Sequence, residues 1–231
     1  LAARFLSENL VQSTVRRLIY MWEYIAEVIW FFFPAGIANI AASLSRFVPL
    51  LDYPVDFGAT WRGKRIFGSH KTWRGIIFGT AAGTLFFLLQ KALYGFDTIA
   101  EISILNYSEA SWLIGLLLGF GAVAGDAIRS FFKRRVNIEP GGPWIPFDQI
   151  DYSLGAGLLV SMLFFPGWDR IAVAVSLGLV LHILTNISAY LIGLQKNKLY
   201  LHVISKLISH EGNCKRSIRR TKRAYHRAVS G

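Results

Sequence analysis

The sequence predicts an all-α integral membrane protein of about five transmembrane helices, with two functional cytoplasmic loops and a basic cytoplasmic C-terminal helix. Three observations predict it. Of 231 residues, 53% are hydrophobic and 17% charged, and the mean hydropathy is +0.41, too apolar for an ordinary soluble domain. Apolar runs near the length of a bilayer core recur at about 19–45, 75–94, 110–129, 152–168 and 170–193. Lysine and arginine crowd into alternate connections between them.

The chain divides into an N-terminal extension (1–18), a transmembrane domain (19–194) and a basic tail (195–231). The first run is interrupted by Glu23, Glu27 and Pro34, and reads either as a broken helix or as an interfacial helix followed by a shorter span. The second and third runs carry small-residue rows, Gly75/Gly79/Gly83 and Gly115/Gly119 with Gly121/Gly125. Such rows let membrane helices approach closely, and they predict that these two spans lie side by side.

Cations fall in 62–74 (Arg62, Lys64, Arg65, Lys71, Arg74), in 129–135 (Arg129, Lys133, Arg134, Arg135) and in the tail. An odd number of spans places all three on one side, and the positive-inside rule makes that side cytoplasmic, with functional loops at 52–74 and 130–151. The connection 95–109 carries Asp97, Glu101 and Glu109 and no Lys or Arg, in keeping with the opposite side; Arg16 and Arg17 argue weakly the other way. The expected location is the cell (inner) membrane, multi-pass. No signal peptide with a cleavage site is legible.

The one cysteine, Cys214, excludes an internal disulfide and a cysteine zinc site, and the five histidines lack ligand spacing. Most of the net charge of +11 lies in the tail, KRSIRRTKRAYHR at 215–227. With almost no aromatics to stack on bases, it reads as a surface helix attracted to anionic lipid rather than as a nucleic-acid arm; a second copy of the chain is the other partner considered for the tail.

Two constellations carry chemistry. In Gly125–Asp151, GDAIRSFFKRRVNIEPGGPWIPFDQID, helical spacing puts Asp126, Ser130 and Lys133 on one face. Asp126 then lies roughly 10 Å inside Lys133, where an ionisable side chain is a functional-site hypothesis by default. In Pro54–Gly75, PVDFGATWRGKRIFGSHKTWRG, glycines let the backbone close on a ligand while Arg62, Lys64, Arg65, Lys71 and Arg74 supply charge. Each residue also has a plainer reading. Lys133, Arg134 and Arg135 serve equally as interfacial anchors, and Ser130 as a partner for a carbonyl of its own helix. Asp148 or Asp151 could cap the fourth span, and Asp56 could be a turn residue. Trp61 and Trp73 suit the membrane interface, Asn39 and Asn186 interhelical packing, and His70 a polar loop.

Four segments together resemble the CDP-archaeol synthase family, the archaeal-type CTP:lipid-phosphate cytidylyltransferases distantly related to CDP-diacylglycerol synthase. They are PAGIAN (34–39), PVDFG…GKRIFGSHKTWRG (54–75), GDAIRSFFKRR…PGGPWIPFDQID (125–151) and LTNISAYLIGL (184–194). The resemblance implies a five-span core, CTP and Mg²⁺ at the cytoplasmic side, and an unsaturated diether glycerol phosphate as acceptor. It also implies that Asp126 and Asp148 are metal ligands, with Asp126, Asp148, Lys133 and Lys71 as the catalytic set. Substrate-binding candidates are Arg62, Lys64, Arg65, Lys71, Thr72, Arg74, Ser130, Lys133, Arg134 and Asp151. A second metal or a monovalent ion stays open beside magnesium. Two departures from the wider superfamily are a shorter loop without His-Gly-Gly and Ser69 where an acid is expected before HKTWRG.

The activity expected is Mg-dependent transfer of CMP from CTP to 2,3-bis-O-(geranylgeranyl)glycerol 1-phosphate. An ester lipid phosphate or polyprenyl phosphate acceptor is the alternative within that chemistry. A non-enzymatic membrane scaffold is the alternative outside it.

Overall fold

The computed structural model describes residues 2–138, 142, 144 and 146–191, with side chains from 12 to 181 among them. The basic tail and its expected surface helix lie outside the described residues, as does most of 139–145. Residues up to Leu179 form one compact unit, and Val180 opens a second.

Among the described residues the longer helices are α1 (Ala2–Leu44), α2 (Trp73–Leu93), α4 (Leu113–Arg135), α5 (Phe147–Val160) and α6 (Trp168–Leu191), each overlapping one of the expected apolar runs. A five-residue α3 (Asp97–Glu101) lies in the acidic connection. Three segments, Gln12–Phe47, Trp73–Leu93 and Leu113–Arg135, are long and apolar enough to cross a bilayer alone. With 14 residues α5 is about 21 Å long, short of the roughly 30 Å hydrocarbon core. It begins at Phe147, earlier than the expected 152, so Asp148 and Asp151 lie within the helix rather than before it.

The first helix is unbroken from Ala2, so residues 2–18 of the expected extension are helical and continuous with the first span. Pro34 has no N–H to offer the carbonyl of Trp30 one turn back. Gln90 of α2, fully buried, donates its side-chain amide to that carbonyl at 2.5 Å and fills the gap. Glu27 of this helix also has a partner: Arg170 of α6 meets it at 3.2 Å and lies over the Tyr24 ring, and the Tyr24 hydroxyl donates to Asp169 at 2.6 Å.

Glycine rows bring the helices together as the sequence predicts, with one division of labour. A Cβ on Gly83 would stand 2.8 Å from Gly119 Cα and 3.0 Å from the Pro34 carbonyl oxygen, so α2 touches α4 and α1 backbone to backbone. Gly121 and Gly125 face α5 instead: a Cβ on Gly121 would lie 2.7 Å from Ala156 Cα, and one on Gly155 would lie 2.9 Å from Gly125 Cα. Val28, Phe31, Ala35, Phe87, Leu118 and Val160 form the buried centre among α1, α2, α4 and α5.

The first basic loop holds a two-stranded hairpin, β1 (Thr60–Trp61) and β2 (Lys64–Arg65), paired Thr60 to Arg65 and Trp61 to Lys64. Its two-residue turn, Arg62-Gly63, has φ of +52° and +75°, the left-handed pair that a tight hairpin needs. Asp56 anchors it. The carboxylate accepts from Gly58 N (3.1 Å), Phe67 N (3.0 Å), Gly68 N (3.1 Å) and the Arg65 guanidinium. Burial alone would raise its pKa, but these donors overcome that and hold it at about 2.

Candidate active site

Both basic loops end at the same pole of the helix bundle, and their side chains are tied to one another. Arg135, closing α4, donates to the Trp61 and Arg65 carbonyls and packs over the Trp61 and Phe131 rings; Lys64 donates to the Arg135 carbonyl at 3.1 Å. The hairpin is thereby fastened to the C-terminal end of α4.

Beneath it, three carboxylates and three cations converge. Asp126 and Arg129 stand one turn apart on α4, and Lys133 one turn further. Asp148 and Asp151 project from the first turns of α5, and Lys71 precedes the start of α2. Lys71 and Arg129 each pair with Asp126. Lys133 reaches both oxygens of Asp148, at 2.8 and 3.0 Å. Arg129 Nη1 lies 3.3 Å from Asp148 Oδ1, 3.3 Å from the Asp148 carbonyl and 2.9 Å from Asp151 Oδ2. The acids form a depth series, with side chains 18%, 13% and 7% exposed for Asp126, Asp148 and Asp151, so Asp151 is the one farthest from water.

Local structure explains why the acids sit here. Trp144 N donates to Asp148 Oδ2 at 2.7 Å and Asp148 N donates back to the Trp144 carbonyl at 2.9 Å, fixing the entry to α5. Since Asp151 lies inside α5, the reading of it as a cap is set aside; Arg129 is its ionic partner. The Gly125–Gly155 contact lets α5 come close enough for that pairing.

Beside the cluster opens a cavity of about 520 Å³, lined among others by Arg46, Asp52, His70, Lys71, Arg74 and Asp126. Its wall includes the start of α2, whose first amides are already taken. Trp73 N donates to the Tyr53 carbonyl (2.9 Å), Arg74 N to that of Leu51 (3.0 Å), and Gly75 N to Thr72 Oγ1 (3.4 Å). Charge in the cavity therefore comes from side chains, not from a bare helix terminus.

Of the residues singled out in the sequence, Asp126, Asp148, Asp151, Lys71 and Lys133 come together, and Arg74 lines the cavity while holding Asp52 (3.0 Å) and the Val48 carbonyl (3.0 Å). Others have supporting positions. Arg62 is at the hairpin tip over Trp61, Lys64 and Arg65 tie the loop together, and Thr72 caps α2. Ser130 donates to the Asp126 carbonyl at 3.0 Å, and Arg134 lies against Gly68. In the sequence Arg129 is only one cation of a basic run. Its i+3 spacing from Asp126 is the available signal, yet the link to Asp148 and Asp151 depends on how α5 docks.

Among the described residues no three His, Cys, Asp or Glu side chains form a closed metal cage. The oxygen pair of Asp126 and Asp148 fits a different demand: Mg²⁺ takes hard oxygen donors and commonly only one or two carboxylates, the rest being phosphate and water.

The chain is similar to known proteins over most of its length. A family model described as CarS-like, CDP-archaeol synthase, matches residues 21–199. A protein named CDP-archaeol synthase from Methanopyrus kandleri is 36% identical over 179 residues, covering 76% of this chain and 94% of its own length. One of the same name from Archaeoglobus fulgidus is 36% identical over 184 residues, covering 76% and 98%. A solved structure described as an intramembrane enzyme for archaeal membrane lipids biosynthesis superposes with a TM-score of 0.55 at 32% identity, covering 69% of this chain and 92% of that one.

Proposed function

Since the chain belongs to the CDP-archaeol synthase family, we propose that it transfers CMP from CTP to 2,3-bis-O-(geranylgeranyl)glycerol 1-phosphate, forming the CDP-lipid and releasing pyrophosphate. The observation that carries this reading to particular residues is the convergence of Lys71, Arg129 and Lys133 on Asp126, Asp148 and Asp151 at the pole where both basic loops meet.

An oxygen of the acceptor phosphate attacks the α-phosphorus of CTP. A new P–O bond forms as the bond from that phosphorus to the bridging oxygen breaks, and pyrophosphate carries the electron pair away. The acceptor monoester is already largely ionised near neutral pH, so the site needs no strong general base. Its work is positioning and charge neutralisation.

Lys71, on the cavity wall, and Lys133, behind it at Asp148, hold ammonium groups at the carboxylates. There they neutralise charge on the phosphates, assisted by Arg74 on the cavity wall and Arg134 beyond it. Arg62, Lys64 and Arg65, which also support the loop that carries Lys71, are proposed to add charge for the phosphates at its edge. Asp126 and Asp148 would hold magnesium. When bound, the ion would stabilise charge on the α-phosphate and the leaving pyrophosphate.

The two basic loops and the site are assigned to the cytoplasmic side, where positive charge is retained. The tail at 215–227 is assigned to anionic lipid headgroups, with a second copy of the chain as the competing partner. The test is transfer of labelled CMP by detergent-solubilised protein offered the diether phosphate and phosphatidic acid in parallel, with Mg²⁺ and with EDTA. Metal-dependent product from the diether alone is expected. Product mainly from phosphatidic acid would overturn the acceptor, and no product with no CTP binding would favour the scaffold reading.

A further inference from the structure

Arg129 touches every acid of the cluster, yet it is not aimed at the cavity where a nucleotide would lodge. Nη2 pairs with Asp126 of its own helix, Nη1 with Asp148 and Asp151 of the next helix, and Nη1 also with the Asp148 carbonyl. One planar, always charged group therefore joins the side chain of the first proposed metal ligand to the side chain and the backbone of the second. It does so where the helices come closest, at Gly125 and Gly155. At such an approach three carboxylates repel one another, and the deepest, Asp151, would be an unpaired buried charge without the guanidinium. Lys71 and Lys133 cannot substitute, since each pairs with a single carboxylate.

We infer that Arg129 is a positioning residue that acts through Asp126 and Asp148, braced by Asp151, to hold the two carboxylates at the separation that a divalent cation and the triphosphate require. Asp151 then belongs to the brace rather than to the substrate contacts. Removing the guanidinium lowers metal affinity, because the loss of geometry outweighs the relief of a nearby positive charge. Lysine keeps the charge and loses the fork, so Arg129→Lys resembles Arg129→Met rather than the parent.

The inference rests on the proposed metal site, and the experiment separates the two. Mn²⁺ binding is measured by electron paramagnetic resonance on CTP-free protein in detergent for the parent, Asp126→Asn, Asp148→Asn, Arg129→Met, Arg129→Lys and Asp151→Asn. Half-saturating Mg²⁺ and the KM for CTP follow for those that turn over. Both Arg129 variants are expected to bind Mn²⁺ at least about tenfold more weakly and to need correspondingly more Mg²⁺, with a smaller loss in Asp151→Asn, whose Arg129 keeps its other two carboxylates. Parent-like or tighter Mn²⁺ binding in monodisperse Arg129→Lys, with binding lost in the Asp126 and Asp148 variants, would overturn the positioning role and leave the metal site standing. So would an effect confined to the KM for CTP, which would make Arg129 a phosphate contact. Undiminished Mn²⁺ binding in Asp126→Asn and Asp148→Asn would remove the metal site itself, and this inference with it.

Discussion

Replacing Asp56 by asparagine tests whether the first loop is held as a rigid platform for Lys71. The carboxylate is buried and accepts three backbone N–H groups and a guanidinium. Its pKa is held at about 2 against an ordinary 3.8, worth about 2 kcal/mol at 1.36 kcal/mol per unit. Arg65 is one-third in water, so screening reduces this to about 1.5 kcal/mol. The folded pKa is depressed, so this stability is fully present above pH ~4 and is lost as the pH falls toward ~2. The substituted amide keeps one acceptor oxygen and turns an NH₂ toward donors, so the loop should open more easily at neutral pH as well. The assay is amide hydrogen exchange at Phe67 and Gly68. About 1.5 kcal/mol predicts roughly tenfold faster exchange in the variant, with helix amides of α4 unchanged. Transfer should fall with it, because Lys71 and Thr72 hang from the same loop. Equal exchange rates in variant and parent would refute the account of Asp56 as anchor.

Gly83→Val drives a side chain into Gly119 and the Pro34 carbonyl, an overpacking worth about 1–3 kcal/mol, so it should lower the Tm in detergent or abolish a monodisperse fold; a parent-like melt would contradict the close approach. Thr72→Ala loses the cap of α2 and should cost about 1 kcal/mol in denaturant titration, while a tenfold rise in the KM for CTP would show that the hydroxyl contacts nucleotide instead. Arg62→Ala removes an exposed side chain stacked on Trp61, and the KM for CTP should stay within about twofold of the parent, as measured by steady-state transfer.

Much of the architecture was legible because lipid imposes simple rules. Apolar length gave α2 to within two residues and α4 to within six, its basic last turn lying beyond the apolar run, and the glycine rows gave their contact, since backbone approach in a membrane requires small residues. The face shared by Asp126, Ser130 and Lys133 was equally readable from helical period. What escaped depends on contacts distant in sequence. The start of α5 is set by Trp144 and Asp148 bonding each other, so an apolar run beginning at 152 misplaced it and made Asp151 look like a cap. The unbroken course of α1 through Pro34 relies on Gln90 of the next span, which periodicity does not register. The hairpin turn at Arg62-Gly63 lacks the usual Asn-Gly signal, and the contacts of Lys64 with the Arg135 carbonyl and of Arg65 with Asp56 depend on how the loop folds. Arg129 escaped for the same reason, since two of its three partners arrive from another helix.

The most direct test of the central claim is transfer of labelled CMP from CTP to the diether lipid phosphate across a Mg²⁺ titration, for the parent, Asp126→Asn and Asp148→Asn in the same membranes. The account predicts metal-dependent product from the parent and a loss of at least about 100-fold in each variant that added Mg²⁺ does not restore. Either variant turning over within about threefold of the parent at saturating Mg²⁺ would place the chemistry elsewhere in the chain.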